Sequence, residues 1–550
     1  MPSLRHASLW ALCLGAACMH QGCGGAAHKA ESQDPGLSPS LLSGRPAPAS
    51  QPPKTPFDGV QVLKKGVDAD MFFRHYGVNP TIETSAQPVS TFSVDVDTAS
   101  YSLTRAFLDR GVMPQEASVR VEEFVNALTY DDPPPQGPEQ PFAVHGEIFP
   151  SPNRTGYHIL RLGLRGRVIH EEDRKAADLV FVIDVSGSMN RDDRLGLVKR
   201  SLMYLVDHLG PDDTVAVVTY GDDARLALPP TGLDRRDHIV QAISALAPQG
   251  STHAQAGLEV GYNIAAQNVQ AGRISRVILC SDGVANSGVV DPDALYGRIR
   301  HAAEEGVWLT TMGVGMGNYN DVLMERLAQL GQGRYLYIDG DEQARRAFTH
   351  ALTGNLQVIA KDVKVQMQFD PGVVARYRLL GYENRLMAAE DFANDRVDAG
   401  EIGAGHQMTA LYELKLTGAV KDLGQLRIRH KSPEGHTSQE MRFSVGPQMI
   451  KRDVEAASPA GRLAWIAAGF AEKLRGAYWA RNLQYESLQI QLGRLPGDWR
   501  ERRDVVELGR LIERARQLDT RADRFEGERP LVQMDFDHVP ILSDSGGGRF

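Results

Sequence analysis

The chain has 550 residues, 42% of them hydrophobic and 23% charged, which is typical of globular protein and excludes a wholly disordered chain. At about 100–200 residues per domain, this length predicts about three or four structural units. The 69 acidic residues outnumber the 60 basic ones, and no stretch is strongly basic, so nucleic acid is not expected as a partner.

The first residues have the pattern of a secretion signal. Arg5 and His6 precede an apolar run from Ala7 to Met19, which is too short to span a membrane but has the length of a signal-peptide core. Small residues surround Cys18 and Cys23, and this resembles the processing site of a bacterial lipoprotein. Residues 1–23 are therefore predicted as a lipoprotein signal peptide, lipidated at Cys23 or alternatively at Cys18. A plain secretory signal with incidental cysteines is the other interpretation.

Composition and periodicity then change twice before the centre of the chain. Residues 24–71 are rich in Ala, Pro, Ser, Gly and Gln in their first part, which predicts a flexible tether. Residues 72–175 combine a helical pattern with two alternating strand-like runs, Phe142–Phe149 and Tyr157–Leu164, and are predicted as an N-terminal, β-rich α+β domain. Outside the N-terminal region the only cysteine is Cys280, so no disulfide is expected within the folded part, and Cys280 is predicted as a core residue.

Residues 176–354 alternate strands with amphipathic helices, which predicts a doubly wound, mostly parallel sheet covered on both faces. The run Ala224–Leu228 is predicted as an antiparallel edge strand. The predicted parallel strands are Leu179–Ile183, Thr214–Tyr220, Val277–Cys280, Val307–Met312 and Tyr335–Ile338.

Strand patterns return over residues 355–450, which are predicted as a β-sandwich, and residues 451–545 are predicted as a helical segment. Because strand-like sequence flanks the α/β block on both sides, we expect the strands at 142–164 and 363–448 to form one sandwich with the α/β domain inserted. The apolar stripe that includes Leu463, Ile466 and Phe470 predicts a helix that braces the sandwich, although partner binding would also explain it.

Three polar segments are predicted to meet at one edge of this sheet. Asp184, Ser186 and Ser188 directly follow a buried strand, Asp282 follows another, and Thr252 lies in a loop before a helix. The carboxyl edge of parallel strands is where open α/β sheets bind ligands, and carboxylate and hydroxyl oxygens suit Mg²⁺. The simpler interpretation of the first segment alone is a hydrogen-bonded turn at a strand end.

These five residues resemble, in order and context, the metal-ion-dependent adhesion site of von Willebrand factor A (vWA) domains. The resemblance implies that the hydroxyls of Ser186, Ser188 and Thr252 contact the ion, while Asp184 and Asp282 act largely through water. It also implies that a vacant coordination position accepts an acidic side chain of a partner. The expected ion is Mg²⁺, with Ca²⁺ or Mn²⁺ as alternatives.

The resemblance extends over roughly residues 70–520 to a family of bacterial membrane-anchored vWA proteins with N-terminal and C-terminal domains of their own. It implies a lipid-anchored protein of the bacterial cell envelope, either periplasmic or surface-facing. The segments that carry it are Asp95–Tyr101, Arg120–Asn126, Gly313–Asp321, Gly381–Arg385 and Gly403–Glu413.

The residues that three enzymatic alternatives would require are absent from the sequence. Aspartyl-phosphate chemistry needs an acid where Ser186 stands, and a dinucleotide fingerprint needs glycine where Asn318 stands. His170 and Glu171 have no second histidine at the spacing of a zinc protease. The sequence therefore predicts a non-enzymatic envelope module that binds the Glu or Asp of a partner protein through a metal. The alternative is a structural scaffold in which the metal only stabilises the sheet edge.

Overall fold

A computed structural model of the protein describes residues 71–94, 97–137, 139–283, 292–317, 319–350, 352–419 and 421–521. The predicted signal peptide with Cys18 and Cys23, the predicted tether up to residue 70, and residues 522–545 lie outside the described residues.

The strands are numbered in chain order. They are β1 (Ile82–Glu83), β2 (Val89–Ser93), β3 (Phe142–Pro150), β4 (His158–Gly166), β5 (Ala177–Asp184), β6 (Thr214–Tyr220), β7 (Ala224–Gly232), β8 (Ile274–Ser281), β9 (Val307–Val314), β10 (Tyr335–Ile338), β11 (Val358–Phe369), β12 (Val374–Leu380), β13 (Gly400–Gly403), β14 (Gln407–Leu416), β15 (Gly424–Lys431) and β16 (Ser438–Val445).

The α-helices are numbered in the same way, and two π-helical turns, Asp192–Gly196 and Arg346–His350, adjoin α3 and α8. The helices are α1 (Ala99–Asp109), α2 (Val121–Asn126), α3 (Leu197–Val206), α4 (Arg236–Ala245), α5 (Ala254–Gln267), α6 (Pro292–Glu304), α7 (Asp321–Leu330), α8 (Asp341–Arg345), α9 (Leu352–Leu356), α10 (Pro459–Leu474), α11 (Tyr485–Gly493), α12 (Gly497–Arg500) and α13 (Arg503–Leu518).

The α/β part contains one six-stranded sheet in the order β10-β9-β8-β5-β6-β7. Its strands are parallel except β7, which pairs antiparallel with β6 as predicted. Successive side chains of a strand point to opposite faces. Accordingly, Val180 and Val182 pack with Leu258 of α5 on one face, while Phe181 and Ile183 belong to the core on the other. Both faces are apolar and covered, which confirms the predicted doubly wound arrangement.

The remaining strands form two further sheets, ordered β1-β12-β14-β4-β3 and β13-β11-β15-β16, with β2 added to β11. The strands β4 and β14 are neighbours, with Leu162 opposite Ala410. The predicted pairing of strands from before and after the α/β part is therefore confirmed. The two sheets share one hydrophobic core, which includes Leu160, Val365, Tyr412 and Ile428.

The chain enters and leaves the α/β part at adjacent points. The backbone N–H of Lys175, just before β5, donates to Oε1 of Gln357, just before β11, at 3.0 Å. The α/β part is therefore inserted between neighbouring positions of the surrounding β-structure, as the sequence predicts.

The C-terminal helices pack on α2, the second helix of the N-terminal part. Phe470 of α10 meets Phe124 of α2 edge to face at 5.9 Å between ring centroids. Ser458 caps α10 by accepting from the Gly461 N–H at 3.0 Å, and Pro459 occupies the first turn. The helix is buried on nearly all sides, which fits the bracing role that the sequence favours.

Residues 72–175, predicted as one N-terminal domain, contribute to three cores. Leu103 and Phe107 of α1 join the core on one face of the six-stranded sheet. Val121 and Phe124 of α2 join the core of the C-terminal helices, while β2, β3 and β4 belong to the two other sheets. None of the helices within the described ranges combines the length and apolar composition needed to cross a bilayer.

Because α5 packs closely on the sheet, replacing a glycine by alanine is expected to have opposite effects on stability in α5 and in α6. A Cβ at Gly261 would lie 2.4 Å from Cγ2 of Val182, whereas a Cβ at Gly297 of α6 would meet nothing within 4 Å. Alanine favours a helix over glycine by about 1 kcal/mol, but overpacking a core costs about 1–3 kcal/mol. We expect Gly261→Ala to lower the free energy of unfolding by up to about 2 kcal/mol, and its control Gly297→Ala to raise it by up to about 1 kcal/mol. Urea denaturation measures both, and equal stabilisation by the two variants would contradict the packing argument.

Candidate metal site

The first segment of the site lies in the turn that ends β5. Asp184 is the last residue of the strand, and its Oδ1 accepts from the backbone N–H of Ser186 at 2.8 Å. The hydroxyl oxygens of Ser186 and Ser188 lie 3.0 Å apart. Asp184 is fully buried and Ser188 is exposed, so the segment runs from the base of the sheet edge to solvent.

The second segment, which contains Thr252, is held against the first by backbone hydrogen bonds. The Gly187 N–H donates to the carbonyl of Gly250 at 3.0 Å. Gly250 has a φ of +77°, and a Cβ there would overlap the carboxylate of Asp222, so this turn requires glycine. Thr252 is buried just before α5 begins, on the same edge of the sheet.

The third segment follows β8. Ser281, its last residue, donates its hydroxyl to Oδ2 of Asp184 at 3.2 Å, and Asp282 comes next in the chain. Gly283 has a φ of +81°, and a Cβ there would meet the ring of Tyr319. The structure therefore brings the three predicted segments together at one edge of the sheet.

The sequence analysis missed Arg194, the charged residue closest to the predicted ligands. It lies in the π-helical turn before α3, and its Nη1 donates to Oδ2 of Asp282 and, at 3.0 Å, to the carbonyl of Ser188. Its Nη2 donates to the carbonyl of Met316 at 3.0 Å. One guanidinium thus joins the first and third segments to the Gly313–Asp321 loop. The sequence offers one signal for this role: Arg194 is a charged residue beside the apolar face of α3.

Burial dominates the electrostatics of Asp184. Loss of solvent, with a smaller contribution from the nearby Asp282 carboxylate, raises the pKa of Asp184 to about 6, against the lowering effect of its hydrogen bonds from Ser186 and Ser281. Asp282 has Arg194 as a direct cationic partner, whereas among the described residues no ion pair with a cationic side chain is found for Asp184. A bound cation would favour the ionised form of Asp184.

The donor set fits a hard divalent cation. It consists of two carboxylates and three hydroxyls, all oxygen, contributed by Asp184, Ser186, Ser188, Thr252 and Asp282. Among the described residues no three His, Cys, Asp or Glu side chains are grouped so that they could hold a metal ion, so this site depends on its hydroxyl oxygens as well as its two carboxylates. The oxygen-rich edge of the six-stranded sheet is therefore the candidate metal site.

Two further groups of polar residues, one beside the site and one at the start of α2, have clear positions in the structure. His253, next to Thr252, is exposed at the start of α5. Glu122 and Glu123 open α2, and both accept backbone hydrogen bonds at 2.8 Å, from Tyr382 and Ser100 respectively. Both glutamates therefore have a structural role as hydrogen-bond acceptors at the start of α2.

Three protein-family models match the chain. The one described as von Willebrand factor type A domain matches residues 178–351, which include all five candidate ligands. The one described as von Willebrand factor matches residues 68–161. The third, described as the C-terminal part of uncharacterized protein YfbK, matches residues 354–422 and 415–518.

Two of the similar proteins come from bacteria. The chain is 37% identical over 443 residues to uncharacterized protein YfbK of Escherichia coli (strain K12), covering 76% of each chain. It is 24% identical over 287 residues to uncharacterized protein sll0103 of Synechocystis sp., covering 51% of this chain and 67% of that protein. A solved structure of von Willebrand factor type A from Catenulispora acidiphila aligns with a TM-score of 0.40 at 17% identity, covering 70% of this chain and 91% of that chain.

Proposed function

The chain belongs to the family of the E. coli protein YfbK, and on that premise we propose that it binds a partner protein of the cell envelope through a divalent metal at the candidate site. It contains a von Willebrand factor type A domain, a class of domain that typically mediates protein–protein interactions. The single observation that supports metal-dependent binding is the convergence of three oxygen-bearing segments on one edge of the sheet.

Each residue of the site has a role in the proposal. The hydroxyls of Ser186, Ser188 and Thr252 hold the cation, and Asp184 and Asp282 supply negative charge around it. Arg194 orients Asp282 and offsets part of its charge, so that less negative charge opposes an anionic partner. A bound Mg²⁺, or Ca²⁺ or Mn²⁺, supplies a Lewis-acidic position for a Glu or Asp side chain of the partner. The proposal assigns no catalytic reaction to this site.

The cellular setting of the proposal comes from the N-terminal sequence. Lipidation at Cys23 or Cys18 would attach the protein to a membrane, and the Pro- and Gly-containing residues that follow would give the folded part reach. The partner is therefore sought among bacterial envelope proteins.

A structural scaffold is the second candidate, and one observation favours it. The candidate ligands are already connected by protein groups: Ser281 and Ser186 donate to Asp184, and Arg194 joins Asp282 to the Ser188 carbonyl. A metal could add to this network and stiffen the sheet edge without touching a partner. In that case Ser186→Ala would lower the melting temperature and spare partner capture.

Capture of a partner from detergent-solubilised envelope tests the proposal. We expect the full chain to retain a specific protein in Mg²⁺ and to release it in EDTA, and Asp184→Asn to retain none. Asp234→Asn removes one acidic charge whose side chain is 78% exposed, and it is expected to behave as the wild type. Capture that survives EDTA would count against the metal-dependent proposal.

A further inference from the structure

A second site candidate is a cavity of about 230 Å³ where three parts of the chain meet. One wall comes from residues near α1 and the end of α2, a second from β4 and the loop before β14, and a third from β10 and the helices after it. Ligand sites occur preferentially at such junctions, and this volume is below the 300–1,000 Å³ or so of pockets for drug-sized molecules. The cavity can therefore hold a small molecule.

The charged groups of this cavity have a single sign. Arg165, Arg334 and Arg346 line it, together with His406, and no Asp or Glu is found among its described lining residues. Arg334 and Arg346 approach Asp97 and Glu342 at 4.0 Å, and neither carboxylate is a lining residue of the cavity. For Arg165 the described residues provide no ion pair, and its Nε is buried without a hydrogen-bond partner.

In the same cavity, hydrogen-bond donors approach both ring nitrogens of His406, which is more than a neutral imidazole can accept. The Gly403 N–H donates to Nδ1 at 3.1 Å, and Nε2 lies 2.9 Å from Nη1 of Arg334, which can only donate. A neutral imidazole accepts at one nitrogen and donates at the other, so one pair of donors is opposed whichever tautomer is present. Burial, with the positive charges of Arg334, Arg165 and Arg276, holds the pKa of His406 well below its usual range. An anionic acceptor would relieve both features.

We propose that this cavity, named the arginine cavity, binds a phosphate group that is either free or esterified on a small molecule. Guanidinium groups match phosphate oxygens in geometry and form strong charge-assisted hydrogen bonds with them. The neutral polar side chains of Thr98 and Ser102 also line the cavity and can donate to the remaining phosphate oxygens. Even with Asp97 and Glu342 at 4.0 Å the three guanidinium groups keep a net positive charge, and a phosphate group has more oxygens than a carboxylate to accept their N–H donors.

Isothermal titration of the full chain with inorganic phosphate, glycerol 3-phosphate and acetate, at matched ionic strength, tests the proposal. EDTA is present throughout, so that metal-bound phosphate does not contribute and the outcome is independent of the metal site. We expect saturable binding of one phosphate per chain, with acetate much weaker. The comparison of the two phosphate compounds identifies whether the free or the esterified group is preferred.

Arginine variants localise the binding. Arg165→Gln is expected to weaken phosphate binding by about tenfold or more, because it removes a charge-assisted contact. Arg346→Gln, at the more exposed rim, tests the same cavity if Arg165→Gln does not fold. Arg225→Gln, a strand β7 variant at a side chain that is 65% exposed, is the matched control and should bind as the wild type. The absence of saturable phosphate binding, equal binding of acetate, or an equal loss in Arg225→Gln would overturn the proposal.

Discussion

Replacing Asp184 by asparagine is expected to remove the stabilisation of the protein by Mg²⁺. A ligand present at one hundred times its dissociation constant stabilises by about 2.7 kcal/mol, which corresponds to about 5–10 °C for a domain of this size. Asparagine keeps an acceptor for the Ser186 N–H, and its amide N–H can donate to the Ser281 hydroxyl, but it lacks the negative charge. Without metal, the variant should therefore melt close to the wild type.

Thermal unfolding with and without Mg²⁺ measures this effect, and EDTA should return the wild type to its metal-free melting temperature. Asp192→Asn is a suitable control, because this aspartate lies in the adjacent π-helical turn and its side chain is 88% exposed. The control should keep the whole Mg²⁺-dependent increase. A similar increase in Asp184→Asn would show that Mg²⁺ binds elsewhere, whether or not a partner is captured.

The second large effect is expected for Arg120→Met, which breaks a buried ion network. Arg120 contacts Glu123 and donates to Asp321 at 2.8 Å, and its Nη1 lies 3.6 Å from Glu325. All four side chains are at most 5% exposed. Removing one partner of a buried ion pair costs about 3–5 kcal/mol because the remaining charge stays buried. Since three carboxylates lose a shared cation here, we expect a loss at the upper end of that range.

Chemical denaturation measures the loss for Arg120→Met. Arg452→Met, at a side chain that is 90% exposed, should leave the unfolding curve unchanged. A change below about 1 kcal/mol for Arg120→Met would mean that the carboxylates find other compensation. Because α7 carries Asp321 and Glu325 while Arg120 precedes α2, the network joins the α/β part to the N-terminal helices.

The periodicity of apolar residues was sufficient to predict much of the secondary structure of the α/β part. The strands β6 and β10 have the predicted bounds, and the antiparallel edge strand β7 begins at the predicted Ala224. These segments are apolar, short and bounded by turn residues, so local pattern and tertiary structure agree. The five candidate ligands also follow from local sequence, because each segment is placed by the strand or helix beside it.

Features that depend on distant contacts were not predictable. Residues 341–350 and 352–356 are helical but are divided into α8, a π-helical turn and α9. The predicted amphipathic helix α10 is buried nearly all round, because α2 and α11 pack on it and small residues such as Ala464 and Ala468 allow close approach. Arg194 and Asp282 are 88 positions apart, and Arg165 and His406 are farther apart still, so no local pattern relates them.

The contact between Lys175 and Gln357 makes the α/β part a segment that can be excised or replaced by engineering. Since the two ends of the inserted part are already in contact, its excision would leave a gap that a few residues can close. The host strands would keep their own ladder between β4 and β14. A different insert grafted at this junction would need no long linker, but it would have to replace the packing against Leu103 and Phe107 of α1 and the ion pairs of Arg120.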